Sequence, residues 1–160
     1  MREIRINRQI LFLRLCAVEE VIALRHDVLR AGLPVETARF AGDESAEARH
    51  AGVFDPQGKC LACGTLSFEE YDGKRAYRLR GMAVDEQHRK SGLGRALLEF
   101  LETEARREGV MLLWCNARTP AVPFYMKHGW QVVGEEFEIP TAGPHFRMVK
   151  RLKPEAADAR

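Results

Sequence analysis

The stretch of residues 82–98 reads MAVDEQHRKSGLGRALL, and it decides how the rest of this chain is interpreted. It runs from the end of an apolar strand, through a polar turn, into a helix whose first turn holds Gly92 and Gly94. The first N–H groups of a helix have no partner inside it, and the helix dipole adds positive charge there. Glycines let a bulky anion approach these amides. Three basic residues, Arg89, Lys90 and Arg95, flank the glycines. The stretch therefore predicts a site for a phosphate-bearing ligand.

Two well-known phosphate loops do not fit this stretch. A Walker-type loop needs a glycine, then any four residues, and then Gly-Lys followed by Ser or Thr. The chain has no such run. The dinucleotide fingerprint needs a third glycine where Leu97 stands. What remains is the pattern Arg89-x-x-Gly92-x-Gly94.

The composition is that of an ordinary globular protein. The chain has 160 residues, 46% hydrophobic and 30% charged, with a net charge of only +2. We therefore expect no nucleic acid and no membrane as partner. The first ten residues resemble neither a signal peptide nor a membrane span, which favours a cytoplasmic protein. We expect one domain over residues 1–152 and a frayed tail over 153–160.

Four cysteines raise the question of a metal or redox site. Cys60 and Cys63 form a Cys-x-x-Cys pair, but they lie on a predicted strand. Residues three apart on a regular strand point to opposite faces, and no second pair of ligands accompanies them. We therefore predict no metal site here.

Apolar periodicity predicts an α/β (α+β) fold with a mixed, mostly antiparallel sheet of about six or seven strands and about four helices. The clearest helix starts at Leu93 and ends near Gly109. It lies between two strands, so it predicts a parallel strand pair in the middle of the sheet. The strands are expected at 10–15, 50–54, 61–70, a segment ending at 84, 110–115, 130–137 and 145–152, with further helices at 17–29 and 121–128.

The order of these elements and two motifs resemble the GNAT superfamily of N-acetyltransferases. The first motif is the Arg89 to Gly94 pattern, and the second is Phe124-Tyr125-Met-Lys-His-Gly129-Trp130. The resemblance covers about residues 10–152. It implies a GNAT fold, with the central parallel pair splayed apart, and acetyl-CoA as cosubstrate.

The resemblance also implies how acetyl-CoA is held. The backbone around Ala83 would bind the pantetheine, the amides at the start of the helix would bind the pyrophosphate, and an N–H near Ala83 would stabilise the oxyanion. Asn116 would bond the pantetheine arm, although capping a turn is an equally good role for it. The predicted cofactor-binding residues are Met82, Ala83, Val84, Arg89, Lys90, Ser91, Gly92, Leu93, Gly94, Arg95 and Asn116.

Acetyl transfer to an amine needs an acid for the departing thiolate and a base for the amine. Tyr125 resembles the family tyrosine that protonates the sulfur; the alternative is a core aromatic residue. For the base, alternation allows only one of Glu69 and Glu70 to face the cleft. His145 is the third candidate, because an unperturbed imidazole titrates near pH 6.5. Solvated glutamates and a satisfied histidine are the alternatives.

The acceptor is expected to be a primary amine of unidentified structure, attacked directly in a ternary complex. The residues assigned to the acceptor side carry more carboxylates than bases, which favours a cationic acceptor such as a polyamine, an aminosugar or a lysine side chain. Loop carboxylates are, however, commonly just solvated. The carboxylates in question are Asp43, Glu44, Glu69, Glu135, Glu136 and Glu138.

Two rival functions stay open at this point. A non-catalytic acyl-CoA-binding regulatory domain would need the pyrophosphate site but not Tyr125. A nucleotide-binding module would need adenine and ribose contacts, for which the sequence offers no pattern. A homodimer could form through an exposed edge of the last strand, 146–152, although nothing in the residues requires one.

Overall fold

The computed structural model describes residues 1–154, which form eight strands and three α-helices rather than six or seven strands and four helices. The predicted tail therefore lies, for residues 155–160, outside the described residues. None of these helices is long and apolar enough to cross a membrane. The strands are β1 (Arg2–Ile6), β2 (Gln9–Cys16), β3 (Arg49–Phe54), β4 (Cys60–Phe68), β5 (Tyr77–Val84), β6 (Leu112–Arg118), β7 (Gln131–Ile139) and β8 (Gly143–Arg151), and the helices are α1 (Ile22–Leu29), α2 (Leu93–Arg107) and α3 (Val122–Lys127).

The additional strand is β1, which forms an antiparallel hairpin with β2. The two residues of its tight turn, Asn7 and Arg8, have φ of 51° and 67°. The two central residues of a hairpin turn of this kind are usually Asn-Gly or Asp-Gly. Because Arg8 takes the place of the glycine, the sequence carries no clear turn signal there, and the strand was missed.

The chain divides into two compact units. The first comprises Met1–Ser67 and Leu79–Thr103, and the second begins with Phe68–Arg78 and resumes at Glu104. In the first unit the strand order is β1-β2-β3-β4-β5, and in the second it is β5-β6-β8-β7. The prediction of a single domain over residues 1–152 stays a prediction.

In the first unit, helices cover both faces of the sheet. Cys63 and Ala83 pack in one apolar cluster with buried residues of the segment that includes α1. Their chain neighbours Gly64 and Met82 point the other way, towards α2, because side chains alternate along a strand. A Cβ built on Gly64 would lie 2.7 Å from the Met82 sulfur and 2.9 Å from Leu101 Cδ1. Glycine is therefore required where α2 approaches β4.

In the second unit, the predicted parallel pair is present. Tyr77 of β5 pairs with Leu113 of β6, and Arg78 pairs with Trp114. The last strand, β8, is antiparallel to β6 along its whole length and to β7 on its other side. The prediction that the last strand offers an exposed edge is therefore wrong, because β8 folds back from its hairpin with β7 and inserts beside β6.

The prediction that Cys60 and Cys63 point to opposite faces is also wrong. Val53 of β3 pairs with Ala62, whereas Phe54 pairs with Cys60, so Leu61 is an extra residue in β4. Such a β-bulge shifts the alternation by one residue. As a result, both thiols pack against the same apolar cluster.

Burial protects several thiols from ionising. It raises the pKa of Cys16 to about 12 and that of Cys115 to about 12. The pKa of Cys60 is raised first by a hydrogen bond with Cys63 and then by burial. All four cysteines are free thiols. The folded chain therefore keeps thiol protons that an unfolded chain loses from about pH 8.5 upwards.

We expect the free energy of unfolding to fall as the pH rises from 8 to 10. Over this range the unfolded state binds fewer protons than the folded state, and each protected thiol contributes roughly 1–2 kcal/mol to the loss. Urea denaturation under reducing conditions at several pH values measures this decrease in the free energy of unfolding. A Cys16→Ala variant should show a shallower decline; an unchanged slope would contradict the prediction.

Candidate functional site

The segment that joins β5 to α2 is fixed by its own hydrogen bonds. The Asp85 amide donates to the Leu61 carbonyl at 2.8 Å, and His88 Nδ1–H donates to Asp85 Oδ2 at 2.9 Å. The bond from His88 holds the pKa of Asp85 below its usual range. The Ser91 hydroxyl in turn donates to the His88 carbonyl. The approach to α2 is therefore shaped before any ligand arrives.

Two residues with left-handed backbone turn the chain into α2. Lys90 has φ of 61° and Gly92 has φ of 91°. A Cβ on Gly92 would meet nothing within 4 Å, so the backbone conformation, and not lack of space, favours glycine there. The open space above Gly92 leaves the helix start accessible.

The start of α2 presents a row of free N–H groups. The first amide bonded inside the helix is that of Ala96, which donates to the Gly92 carbonyl at 3.0 Å. Within residues 1–154, the amides of 90–95 have no backbone acceptor. Arg89 and Lys90 are exposed and have no ion pair in the described chain, whereas Arg95 pairs with Glu99 at 3.4 Å. This arrangement can bind a multiply charged anion.

The residues predicted to contact pantetheine lie on β5, after the residues that pair with β6 in the parallel ladder. The pairs with β6 involve Tyr77 and Arg78, and Met82–Val84 lie further along the strand. Ala83 is only 4% exposed and its side chain packs in the cluster near α1. The packing of its side chain therefore fixes the position of the Ala83 backbone in the first unit.

A buried charge pair in the first unit was not predicted. The Arg25 side chain is 0% exposed, and its Nη1 lies 2.7 Å from Asp43 Oδ2. Nη2 donates to Asp43 Oδ1 at 3.1 Å and to Thr65 Oγ1 at 2.8 Å, and Nη1 also donates to the Ala38 carbonyl at 2.9 Å. The sequence did contain a signal, because Arg25 lies at helical spacing from Val18 and falls on the apolar face.

The pair fixes a neighbouring histidine. His50 Nδ1 lies 2.8 Å from Thr65 Oγ1, which also accepts from Arg25. His50 Nε2–H donates to the Asp43 carbonyl at 2.9 Å. Both ring nitrogens of the buried imidazole are therefore hydrogen-bonded, and His50 is a structural member of the network.

The same network rests on β5. A Cβ on Gly81 would lie 2.8 Å from Arg25 Nε and 3.2 Å from Phe40 Cε2, and Gly81 has φ of 64°. Both space and backbone conformation therefore demand glycine there. Arg25 and Phe40 pack directly against the residue that precedes Met82–Val84, so the network supports the predicted cofactor strand.

Asp43 is not the solvated acceptor-side carboxylate that the sequence suggested. Burial alone would raise its pKa, but hydrogen bonds from Arg25 and from the Phe40 amide outweigh burial and hold the pKa below its usual range. Three more of the carboxylates assigned to the acceptor side also have partners. Glu44 pairs with Arg39 at 3.1 Å, Glu69 lies 3.6 Å from Arg78, and Glu136 accepts a hydrogen bond from Thr119 at 2.7 Å.

Tyr125 lies in the second unit, buried on α3 between two aromatic rings. The ring of Phe124 is 5.2 Å away and that of Trp130 is 5.3 Å away. Burial raises the pKa of Tyr125 well above 10, and nearby Cys115 adds to the shift. The phenol therefore stays protonated across the neutral range.

The three base candidates differ in their surroundings. Glu69 lies beside the Arg78 guanidinium, and Glu70 is exposed. His145 is buried, and its Nδ1–H donates to the Gly143 carbonyl at 2.8 Å, so Nε2 is the ring nitrogen without this bond. Asn116 lies inside β6 and not after it, and its Oδ1 accepts a hydrogen bond from Arg147 at 2.7 Å.

Comparison with known proteins adds to this geometry. Residues 47–132 match the acetyltransferase (GNAT) domain family. The uncharacterized N-acetyltransferase YitI of Bacillus subtilis is 34% identical over 140 residues, which cover 86% of this chain and 93% of that protein. The uncharacterized N-acetyltransferase YjcF of the same organism is 34% identical over 104 residues, 65% of this chain and 71% of that protein.

Solved structures share the fold. An aminoglycoside 6'-N-acetyltransferase complexed with coenzyme A superposes with a TM-score of 0.72 at 15% identity, covering 91% of this chain and 99% of that chain. A GNAT-family acetyltransferase from Streptococcus pneumoniae gives 0.67 at 21% identity, covering 89% and 99%. At these identities the likeness concerns the fold alone.

Replacing the buried carboxylate should be costly. We expect Asp43→Asn to lower the free energy of unfolding by about 3–5 kcal/mol, because Arg25 would keep a buried, uncompensated charge. Glu44→Gln is the matched control, since it removes the adjacent but exposed pair with Arg39 and should cost less than about 1 kcal/mol. Urea denaturation of both variants compares them, and equal losses would contradict the structural role of Asp43.

Proposed function

Because the chain belongs to the GNAT acetyltransferase family, we propose that it transfers an acetyl group from acetyl-CoA to a primary amine in a ternary complex. The observation that carries the proposal is the start of α2. There the amides of residues 90–95 have no backbone acceptor in the described chain, and the cations of Arg89 and Lys90 are exposed. The pyrophosphate of acetyl-CoA supplies the charge that such a surface stabilises.

The two glycines of the loop have different parts in this proposal. Gly92 provides the left-handed turn and the open space above the amides. Gly94, inside the first turn of α2, keeps that turn free of a side chain. The pantetheine would run along the backbone of Met82–Val84, where Ala83 N–H is the proposed oxyanion donor. A structural neighbour that was crystallised with coenzyme A supports this choice of ligand class.

The reaction forms one bond and breaks another. The amine nitrogen attacks the thioester carbonyl, the new C–N bond forms, the C–S bond breaks, and the attacking nitrogen gives up a proton. The thiolate of coenzyme A takes a proton as it leaves, and we assign Tyr125 as its donor. The raised pKa of Tyr125 keeps the phenol protonated at working pH, and it also makes the phenol a weaker acid towards the thiolate.

We assign His145 as the base that receives the proton of the amine. Its Nδ1–H donates to the Gly143 carbonyl, so we assign Nε2 as the atom that receives the proton. Glu69 is less suitable because its carboxylate already lies 3.6 Å from Arg78. Glu70 remains the exposed alternative. A domain that only senses acyl-CoA would bind the cosubstrate and would need neither group.

Acetyl-CoA affinity tests the site at α2. We expect Gly92→Glu to weaken binding at least 100-fold in calorimetric titration, because a carboxylate would sit where the pyrophosphate is proposed to bind. Gly58→Glu is the matched control, since Gly58 has a similar φ of 88° and equally open surroundings in a turn between β3 and β4. Equal affinity of the two variants would contradict the site.

Tyr125→Phe tests the proton donor. We expect kcat for acetyl transfer to fall about 100-fold, in line with general acid catalysis, while the Kd for acetyl-CoA stays unchanged. Steady-state kinetics by thiol release, together with calorimetry, separate the two effects. A variant that turns over like the parent chain would remove Tyr125 from the mechanism, and a parent chain that binds without turnover on any amine would indicate the sensor.

A further inference from the structure

Four polar and aromatic side chains of the second unit share one face of the sheet. Arg78 of β5 pairs in register with Trp114 of β6, and Asn116 of β6 pairs with Arg147 of β8. Register partners lie on the same face, as do residues two apart on one strand. We call Arg78, Trp114, Asn116 and Arg147 the arginine–tryptophan face.

Trp114 is the fixed centre of this face. Its indole N–H donates to the Glu69 carbonyl at 3.0 Å. The Arg78 guanidinium lies 5.0 Å from the ring and that of Arg147 lies 4.6 Å from it. Arg78 belongs to β5 and Arg147 to β8, the two strands that flank β6. Cation–π attraction holds each cation beside the same indole ring.

The guanidinium groups of the face outnumber the carboxylates that are paired with them. In the described part of the chain, Glu69, whose Oε1 lies 3.6 Å from Arg78 Nη1, is the carboxylate paired with it. By the same rule Arg118, the register partner of His145, adds a further guanidinium group to this side of the sheet. The face is therefore matched to an anionic ligand.

The arginines also have donors to spare. Arg78 Nε is buried without a hydrogen-bond partner, and within residues 1–154 Arg147 donates only from Nε, to Asn116 Oδ1. The two terminal nitrogens of Arg147 therefore have no acceptor in the described chain. The Nε of the structural Arg25 is likewise buried without a partner, but the terminal nitrogens of Arg25 all reach Asp43, Thr65 or Ala38. A free planar fork of donors suits a carboxylate.

The proposed base lies on the same strand and face. His145 precedes Arg147 by two residues on β8, so the two side chains project from points about 7 Å apart. A ligand that places an amine at His145 and an anion at Arg147 needs only a few atoms between the two groups. An amino acid has this layout.

We propose that the acceptor is a small amino acid whose carboxylate binds between Arg147 and Arg78 while its amine faces His145. This inference rests on the proposed acetyl transfer and names its substrate class. It replaces the cationic acceptor that the carboxylate count suggested, since four of those carboxylates have partners and the terminal nitrogens of Arg147 have none.

Matched acceptors test the proposal. Each α-amino acid and each short ω-amino acid is assayed with acetyl-CoA beside its amide and its decarboxylated amine, scored by thiol release. We expect kcat/KM to be at least tenfold higher for the acid than for its amide. Arg147→Gln should raise KM for the acid about tenfold and leave the amide unaffected, with partial rescue by Arg147→Lys. Arg107→Gln, an exposed arginine on α2, should behave like the parent chain.

The outcomes separate this proposal from the proposed function. Equal kcat/KM for acids and amides, or equal losses on both in Arg147→Gln, would overturn the carboxylate subsite. Acetyl-CoA binding to the parent chain without turnover of any acid would overturn it too. Absence of acetyl-CoA binding to the parent chain would instead overturn the proposed function. Thermal unfolding of Arg147→Gln and Arg107→Gln excludes a folding defect as the cause of a selective loss.

Discussion

The buried ion pair between Arg25 and Asp43 is the constraint on which the first unit depends. Two charges with 0% and 4% side-chain exposure persist only when each is compensated by the other and by further hydrogen bonds. Their bonds reach the carbonyl of Ala38 at the end of a 3-10 helix and strand β4 at Thr65, and His50 extends the network to β3. One charge pair therefore joins α1, the segment between α1 and β3, and two strands.

This pair also explains the backbone beside the predicted cofactor strand. Arg25 Nε and Phe40 occupy the place where a side chain at Gly81 would lie, and Gly81 takes a left-handed conformation in the middle of β5. Met82–Val84 follow immediately, and the anion site at the start of α2 comes next along the chain. A strong local charge pair and a glycine thus define the backbone that the proposed acetyl-CoA site uses.

What the sequence could predict was local. The period of α2, its glycine-containing start and the turn after β5 are all encoded within a few residues, and the structure has them. The hairpin of β1, the bulge at Leu61 and the insertion of β8 beside β6 depend on pairing between distant segments. Arg25 stood on an apolar helical face, which was a usable signal, but its partner lies eighteen residues away. The roles of Tyr125 and His145 stay predictions.

The charge of the acceptor illustrates the same limit. Counting side chains treats every carboxylate as available, so Asp43, Glu44 and Glu69 favoured a cationic acceptor. In the folded chain each of these carboxylates lies beside an arginine, whereas the terminal nitrogens of Arg147 have no acceptor in the described residues. A ligand interacts with the charge that is left after internal pairing. A carboxylate that is paired with an arginine attracts a further cation less strongly than an unpaired carboxylate does. Selectivity at this face should therefore follow its unpaired guanidinium donors and not the composition of the surrounding loops.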